Sequence, residues 1–340
     1  MSVALRNGAT ILAEAAWELA PLIRSRVCGL SPEVRHLVGL HFGWWDDDGA
    51  LLDAPPSPKS VRPALAVLAC RAVGGTGRAA MSEALAVELI HNASLLHDDV
   101  IDNDPLRRGR PALWAAKGLP AAILAGDALF FAAVQVLMET PRATRTVPVL
   151  LDSIQVLIEG EYRDVLQEAG VHVGVDEAMS VAAKKTGELL ACACALGALA
   201  GGAGPARVEH LRAFGMHLGI AFQCIDDVLG IWGDERLTGK PAVSDLRAKK
   251  VSLPVAVALA GRTRQAGELG ALYRQDGPLD DEDCRRAKRL IECAGAKETT
   301  LHWARQHASD ARDHLAMAGV ESEPAAELTE ILHLITHRER

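Results

Sequence analysis

Aromatic side chains are scarce in this sequence: Phe, Trp and Tyr together make up 4% of 340 residues, and only 2 of those are tyrosines. Sheets draw on aromatic and β-branched residues, so this shortage beside abundant Ala and Leu argues for helices. No segment sustains period-two alternation, which leaves room for almost no sheet. Positive charge is also short, 36 Lys and Arg against 44 Asp and Glu, for a net charge of −8. That balance lacks the basic footprint of a nucleic-acid binder. The 7 cysteines are odd in number and irregularly spaced, and Cys192 and Cys194 are too close for a CxxC pair. Reduced thiols in a cytoplasmic protein are the simplest expectation. The longest uncharged run, Leu189 to Ala206, ends in a Gly-rich third, so its apolar part falls short of the roughly 20 residues of a membrane span. Arg6, Glu14 and Glu18 leave no signal-peptide apolar region, and no span is expected.

What the chain has is long amphipathic segments between short Gly/Pro breaks. The pattern predicts helices over about 8–26, 60–73, 82–102, 119–138, 146–168, 176–200, 206–232 and 248–260, with two or more after 280. Residues 42–58, with Pro55, Pro56 and Pro58, read as a loop. No composition shift marks a boundary, so residues 1–340 are expected to form one all-α domain.

The most informative segment runs from His97 to Pro111: Asp98, Asp99, Asp102 and Asp104 close an apolar helical stretch, and Arg107 and Arg108 follow. Ser82 is a reasonable N-cap for that helix. At 3.6 residues per turn, His91, Asp98 and Asp102 share one face. Asp98 and Asp102 are i,i+4 neighbours, and like charges there repel; acids near a helix C-terminus also oppose the macrodipole. A bound cation offsets both costs. Mg²⁺, which binds through few carboxylates and shares substrate phosphates, suits this density of hard oxygens. Guanidinium forks suit the same phosphates. The segment therefore points to diphosphate chemistry. Further fragments are Gly160-Glu161-Tyr162-Arg163-Asp164, Lys185-Thr186-Gly187, Gln223-Cys224-Ile225-Asp226-Asp227, Gly239-Lys240 and Lys249-Lys250. Each is weak alone.

Together, in this order over roughly residues 55–260, the fragments resemble the trans-isoprenyl diphosphate synthases (polyprenyl synthetases). The resemblance implies a single large helical bundle of the isoprenoid synthase type with a central active-site cavity, acting as a cytoplasmic homodimer. It implies that isopentenyl diphosphate is condensed with an allylic diphosphate (dimethylallyl, geranyl or farnesyl), with roughly three Mg²⁺ ions per site. Asp98, Asp99 and Asp102 match the DDxxD motif, whose first and last acids bind metal. Arg107 matches the arginine that holds the allylic diphosphate, and Arg108 the one that holds isopentenyl diphosphate. Lys59 and Arg62 match the K-x-x-R-P isopentenyl diphosphate site, which His91 completes. Asp164 resembles the acid of GQxxD, another metal ligand, and Lys185 and Thr186 the KT pair on the allylic side. Gln223, Asp226 and Asp227 begin the second aspartate motif, with Asp226 as its metal ligand. Lys240 and Lys250 resemble the lysines that reach the leaving diphosphate. Thr186 and Gln223 are also positioned to stabilise an allylic cation through oxygen dipoles.

Three departures stand out: Gly230 replaces the last aspartate of the second motif, Glu161 replaces Gln, and Pro58 replaces Gly. Both substrate sites nevertheless look chemically complete, which favours an active enzyme over a non-catalytic partner subunit. A class I terpene cyclase is the enzyme rival, but Gly230 and Asp234 stand where its hydroxyl and Glu ligands belong, and it has no use for Lys59, Arg62, His91 and Arg108. His97 points about 100° from Asp98 and is read as structural. Product length should depend on residues before Asp98. Ala93 and Ser94 are small, and Phe130 or Phe131 from the neighbouring helix is expected to close the tunnel, giving geranylgeranyl diphosphate; geranyl, farnesyl and longer products are the alternatives.

Overall fold

The computed structural model describes residues 6–46, 48–52, 60–168, 170, 174–233 and 243–337. Its elements are α1 (Gly8–Cys28), α2 (Pro32–Phe42), α3 (Val61–Ala72), α4 (Met81–Ile101), α5 (Leu113–Lys117), α6 (Leu119–Met138), α7 (Ala143–Glu168), α8 (Val175–Val181), α9 (Glu188–Ala200) and α10 (Pro205–Trp232). Then come α11 (Ser244–Arg247), α12 (Leu253–Ala260), α13 (Arg264–Tyr273), α14 (Asp281–Cys293), α15 (Ala296–Met317) and α16 (Ser322–Thr336). Among the described residues the one sheet is a two-stranded ribbon, β1 (Leu106–Arg107) against β2 (Arg110–Pro111), antiparallel. The all-α expectation holds.

Several boundaries differ from the expected pattern for local reasons. Helix α2 was not expected, yet Ser31 caps Val34 N, Pro32 starts the helix and Gly43 ends it at φ 72°. Its apolar stripe is short, which hid it. Ser82 is not the N-cap of α4; a 3₁₀ turn over Gly77–Ala80 runs straight into the helix, and Ala80 occupies the cap without a side-chain bond. The expected helix over 176–200 is interrupted by a π-helical segment, Ala182–Gly187. The stretch 248–260 is helical only from Leu253, and α13 is an unexpected helix capped by Thr263.

The chain gathers into two compact units, one of residues 1–154, 192–212 and 318–328, the other of 155–191, 213–317 and 329–340. In the first, α4 is buried nearly all round, with Leu89, Ile90 and Leu96 fully enclosed alongside Leu65, Leu68 and Leu129. Even its Glu83 is buried, held by Arg142 at 3.1 Å. A helix apolar on every face belongs in a core, so the acids at its C-terminal end are carried on a rigid element. In the second unit Ile220, Cys224 and Ile225 of α10 pack with Leu253 and Ala256 of α12, Ala178 of α8 and Ala304 of α15. A second cluster joins Ile231 to α11–α14 through Leu246, Val255, Leu269 and Ile291. Helices α6 and α10 are long and apolar enough to cross a membrane by length and composition, which the longest uncharged run did not reveal.

Candidate active site

In the first unit, Asp98 and Asp102 are half-buried at the end of α4, while Asp99 is 1% exposed. The backbone leaves the helix through Asp102 N–H to Asp98 O at 2.8 Å and Asp104 N–H to Asp99 O at 3.0 Å. The ribbon then turns through Arg108 and Gly109, at φ 53° and 74°. Two consecutive positive-φ residues make the tight turn that matches strand twist, and Asn or Gly usually fills its first place. An arginine there carries about 1 kcal/mol or more of backbone strain, and Arg108 is exposed at the tip. Arg107 turns back: its Nε donates to Asp99 Oδ1 at 2.7 Å and its Nη2 to the same oxygen. Asp99 Oδ2 is buried with no hydrogen-bond partner among the described residues.

Beside this lies a cationic cluster. Arg62, half-buried, has an enclosed Nε without a hydrogen-bond partner among the described residues. An enclosed unpaired guanidinium N–H is a donor awaiting an anion. Desolvation, then the charges of Arg62 and Arg108, hold His91 well below the usual imidazole range. Desolvation and Arg108 likewise take His41 down to about 3. Both rings are therefore neutral near pH 7, and the arginines supply the cluster's charge. Asn92 Nδ2 donates to the Glu88 backbone oxygen at 2.8 Å and to Glu88 Oε1 at 3.1 Å, and Asn92 Oδ1 lies 3.1 Å from His41 Nε2. Burial raises the Glu88 carboxyl and Arg62 opposes that rise.

In the second unit, Lys185 sits in the π segment, a geometry that often marks functional positions. Its Nζ donates to Asp164 Oδ2 at 2.8 Å and pairs with Glu161 Oε2 at 2.9 Å. The extra charge of Glu161 is thus offset by Lys185. Gly160 makes this approach possible, since a Cβ there would lie 2.7 Å from Lys185 N and 2.8 Å from Lys184 Cβ. A relay of hydrogen bonds follows: Thr186 Oγ1 to Gln223 Oε1 at 2.7 Å, Gln223 Nε2 to Asp227 Oδ1 at 2.7 Å, and Leu253 N to Asp227 Oδ2 at 2.8 Å. Asp226 is exposed and Asp227 buried. Lys250 is half-buried, its backbone N–H bonded to Asp245 O at 2.9 Å. Lys59 and Lys240 lie outside the described residues.

Burial pushes the Asp227 carboxyl up to about 7, the charges of Asp226 and Asp245 add to this, and the bonds from Leu253 and Gln223 oppose it. The folded chain keeps a proton between about pH 4 and 7 that the unfolded chain releases, so stability falls as pH rises through that window and levels off above it. Asp227→Asn removes this titration. In Mg²⁺-free buffer, denaturant melts should show wild type losing on the order of 4 kcal/mol relative to the variant across that range. Parallel stability curves would refute the assignment.

The family model for polyprenyl synthetase matches residues 54–291. The chain belongs to the polyprenyl synthetase family. It is a prenyltransferase of that family. It is 38% identical over 99% of its length to geranylgeranyl diphosphate synthase of Mycobacterium tuberculosis (strain ATCC 25618 / H37Rv), covering 96% of that protein. It is 37% identical over 94% of its length to (2E,6E)-farnesyl diphosphate synthase of Mycobacterium bovis, covering 90% of it. The crystal structure of polyprenyl synthetase from Streptomyces coelicolor A3(2) superposes with a TM-score of 0.91 at 38% identity, covering 96% of this chain and 98% of that one.

Within this synthetase, Ala93 is fully buried and Ser94 half-buried, its hydroxyl donating to His91 O at 2.8 Å. Phe131 is 71% exposed. Phe130 packs its ring 5.6 Å from that of His97, whose Nε2 lies 3.2 Å from Ile123 O. Because Ser94 and His97 are three apart on α4, Phe130 lies on Ser94's side of that helix. Four residues escaped the sequence reading. Glu88, Asn92 and His41 lie in the cationic cluster, and a Glu and an Asn inside the apolar run around His91 were the available signal. The fourth is Asp245: a Cβ added to Gly230 would lie 2.0 Å from Asp245 Oδ2. Its carboxylate occupies the space that the motif's missing side chain would need.

Proposed function

We propose that this synthetase makes geranylgeranyl diphosphate by condensing isopentenyl diphosphate with a shorter allylic diphosphate. The observation that carries the reading is the shared construction of the two aspartate motifs, each with an accessible first acid (Asp98, Asp226) and a buried second acid locked by hydrogen bonds (Asp99, Asp227). An acid pair with one member buried and braced and the other accessible to solvent suits a divalent cation. The hard-oxygen donors Asp98, Asp102, Asp164 and Asp226 fit Mg²⁺, and the count of three ions per site is carried over from the family resemblance. When bound, Mg²⁺ neutralises charge on a diphosphate leaving group.

The residues then divide the work. Arg107, Lys185, Lys240 and Lys250 bind the allylic diphosphate and stabilise the charge it gathers as the C–O bond breaks. Lys59, Arg62, His91 and Arg108 bind isopentenyl diphosphate and align its double bond with the allylic cation. The relay from Thr186 through Gln223 fixes two oxygens where that cation's charge is relieved. Asp245 supplies the carboxylate that Gly230 lacks. The departing diphosphate takes the final proton.

For chain length, the small residues Ala93 and Ser94 leave the floor before Asp98 open, and Phe130 is the aromatic on that side. Phe130→Ala should shift product beyond geranylgeranyl diphosphate, whereas the exposed Phe131→Ala should not; an unchanged distribution in Phe130→Ala overturns this. Leu124, Phe131 and Met138, spaced seven apart on α6, are 60%, 71% and 61% exposed. An apolar stripe on a helix whose other face is in the core fits burial by a second copy, so the enzyme is read as a homodimer. Seven free thiols fit a cytoplasmic setting. We read residues 1–340 as one catalytic domain, since α7, α9 and α10 each supply residues to both units. The deciding experiment incubates pure protein with Mg²⁺, isopentenyl diphosphate and a labelled allylic diphosphate. Elongated diphosphates support the reading; released hydrocarbon or no turnover overturns it.

A further inference from the structure

One cluster of ligand-type side chains in the second unit belongs to none of the motifs above. On α10, three residues before Ile220 is His217; on α15, three residues after Ala304 is His307. Ile220 and Ala304 share a hydrophobic cluster, so one step of nearly a turn on each helix brings the two imidazoles together. Their Nδ1 atoms are 2.8 Å apart. Asp310, three residues beyond His307 and on the same face of α15, places Oδ2 3.7 Å from His217 Nδ1. The His314 ring stacks on His217 with centroids 5.4 Å apart. One atom from each of His217, His307 and Asp310 falls within 4.8 Å of the others, and all three residues are half-buried.

We propose that His217, His307 and Asp310 bind one divalent transition-metal ion of the zinc class, with solvent completing the coordination. Two imidazoles and a carboxylate are the donor set such ions favour, while Mg²⁺ prefers oxygen alone. A Zn–N bond of about 2.0–2.1 Å sets two ligating nitrogens roughly 3.3 Å apart, so the pair opens by about half an ångström to admit the ion. Two neutral imidazoles are what a metal needs, and both rings are held below the usual imidazole range, chiefly by desolvation. The site ties α10, which carries Gln223 and Asp226, to α15, so its role is to brace the helix that bears the second aspartate motif.

The test uses the untagged full-length chain, freed of metal by chelation and held in excess Mg²⁺ to keep oxygen sites occupied. Co²⁺ titration should give one equivalent with visible d–d absorption of a low-coordinate nitrogen-bearing site, abolished by added Zn²⁺. Zn²⁺ should raise the melting temperature by roughly 5 °C. His217→Asn/His307→Asn should lose both signals. Asp310→Asn, at the exposed side of the cluster, should weaken Co²⁺ binding about tenfold or more and keeps the test open if the double variant does not fold. Identical titrations for wild type and either variant would overturn the site and leave the histidine pair as a hydrogen bond.

Discussion

Asp98→Asn should lower kcat/KM for prenyl transfer by about 10³-fold and raise the Mg²⁺ concentration needed for half-maximal rate, whereas Asp99→Asn should leave that Mg²⁺ requirement unchanged. The two acids are neighbours in sequence, and the motif gives metal binding to its first and last acids, Asp98 and Asp102, without a role for Asp99. Their surroundings separate them. Asp98 is accessible at the end of α4, where it and Asp102 face repulsion and an unfavourable helix dipole that a cation relieves. Asp99 is enclosed and spends Oδ1 on Arg107. Its work is to hold the guanidinium in place, so Asp99→Asn should act on the allylic diphosphate KM, by about 10- to 100-fold, through a loosened Arg107. Arg107→Gln should do the same and also cost about 2–3 kcal/mol of stability, because a buried carboxylate loses its partner. Initial rates over a Mg²⁺ series, with allylic diphosphate varied at each concentration, separate the effects. A matching rise in Mg²⁺ requirement for Asp99→Asn would overturn the division.

What is legible in the sequence follows from periodicity and from charge out of place. Helix α4 announced itself because its apolar run is long and ends in acids that cost stability without a cation. Helix α6 appeared with both ends in place, Leu119 and Met138. What escaped were features set by capping or by contacts between segments distant in the chain. Helix α2 is fixed by Ser31, Pro32 and Gly43 more than by its stripe. The π segment at Lys185 arises where Gly160 of α7 comes close, a contact no local pattern encodes. The roles of Glu161 and Glu88 depend on which cation each meets, Lys185 and Arg62, and helical period alone does not choose a partner. Gly230 looked like a lost ligand because sequence spacing cannot show what fills the space beside a glycine.

That space leads to the second large effect. Gly230→Asp, which restores the usual motif, should inactivate the enzyme and destabilise it. A Cβ at position 230 would fall 2.0 Å from Asp245 Oδ2 and 2.8 Å from its Cγ, well inside any tolerable contact. The added carboxylate would also join Asp226, Asp227 and Asp245 in one neighbourhood, where two of those charges already push the Asp227 carboxyl upward. Overpacking costs about 1–3 kcal/mol and like-charge repulsion adds to it. Gly230→Ala isolates the steric part: Asp245 must swing aside, and activity should fall about tenfold or more while net charge is unchanged. The decisive variant is Gly230→Asp/Asp245→Gly, which exchanges the position of the acid and keeps its number. If Asp245 stands in for the missing residue, the double variant should regain most of the stability and at least about tenfold of the activity lost in Gly230→Asp, a coupling of more than about 1.4 kcal/mol. Asp245→Asn alone should raise the Mg²⁺ requirement without disturbing the fold. Additive losses in the double variant, measured by melting temperature and by kcat/KM over a Mg²⁺ series, would mean that the contact is packing only and that the second motif works with one acid fewer.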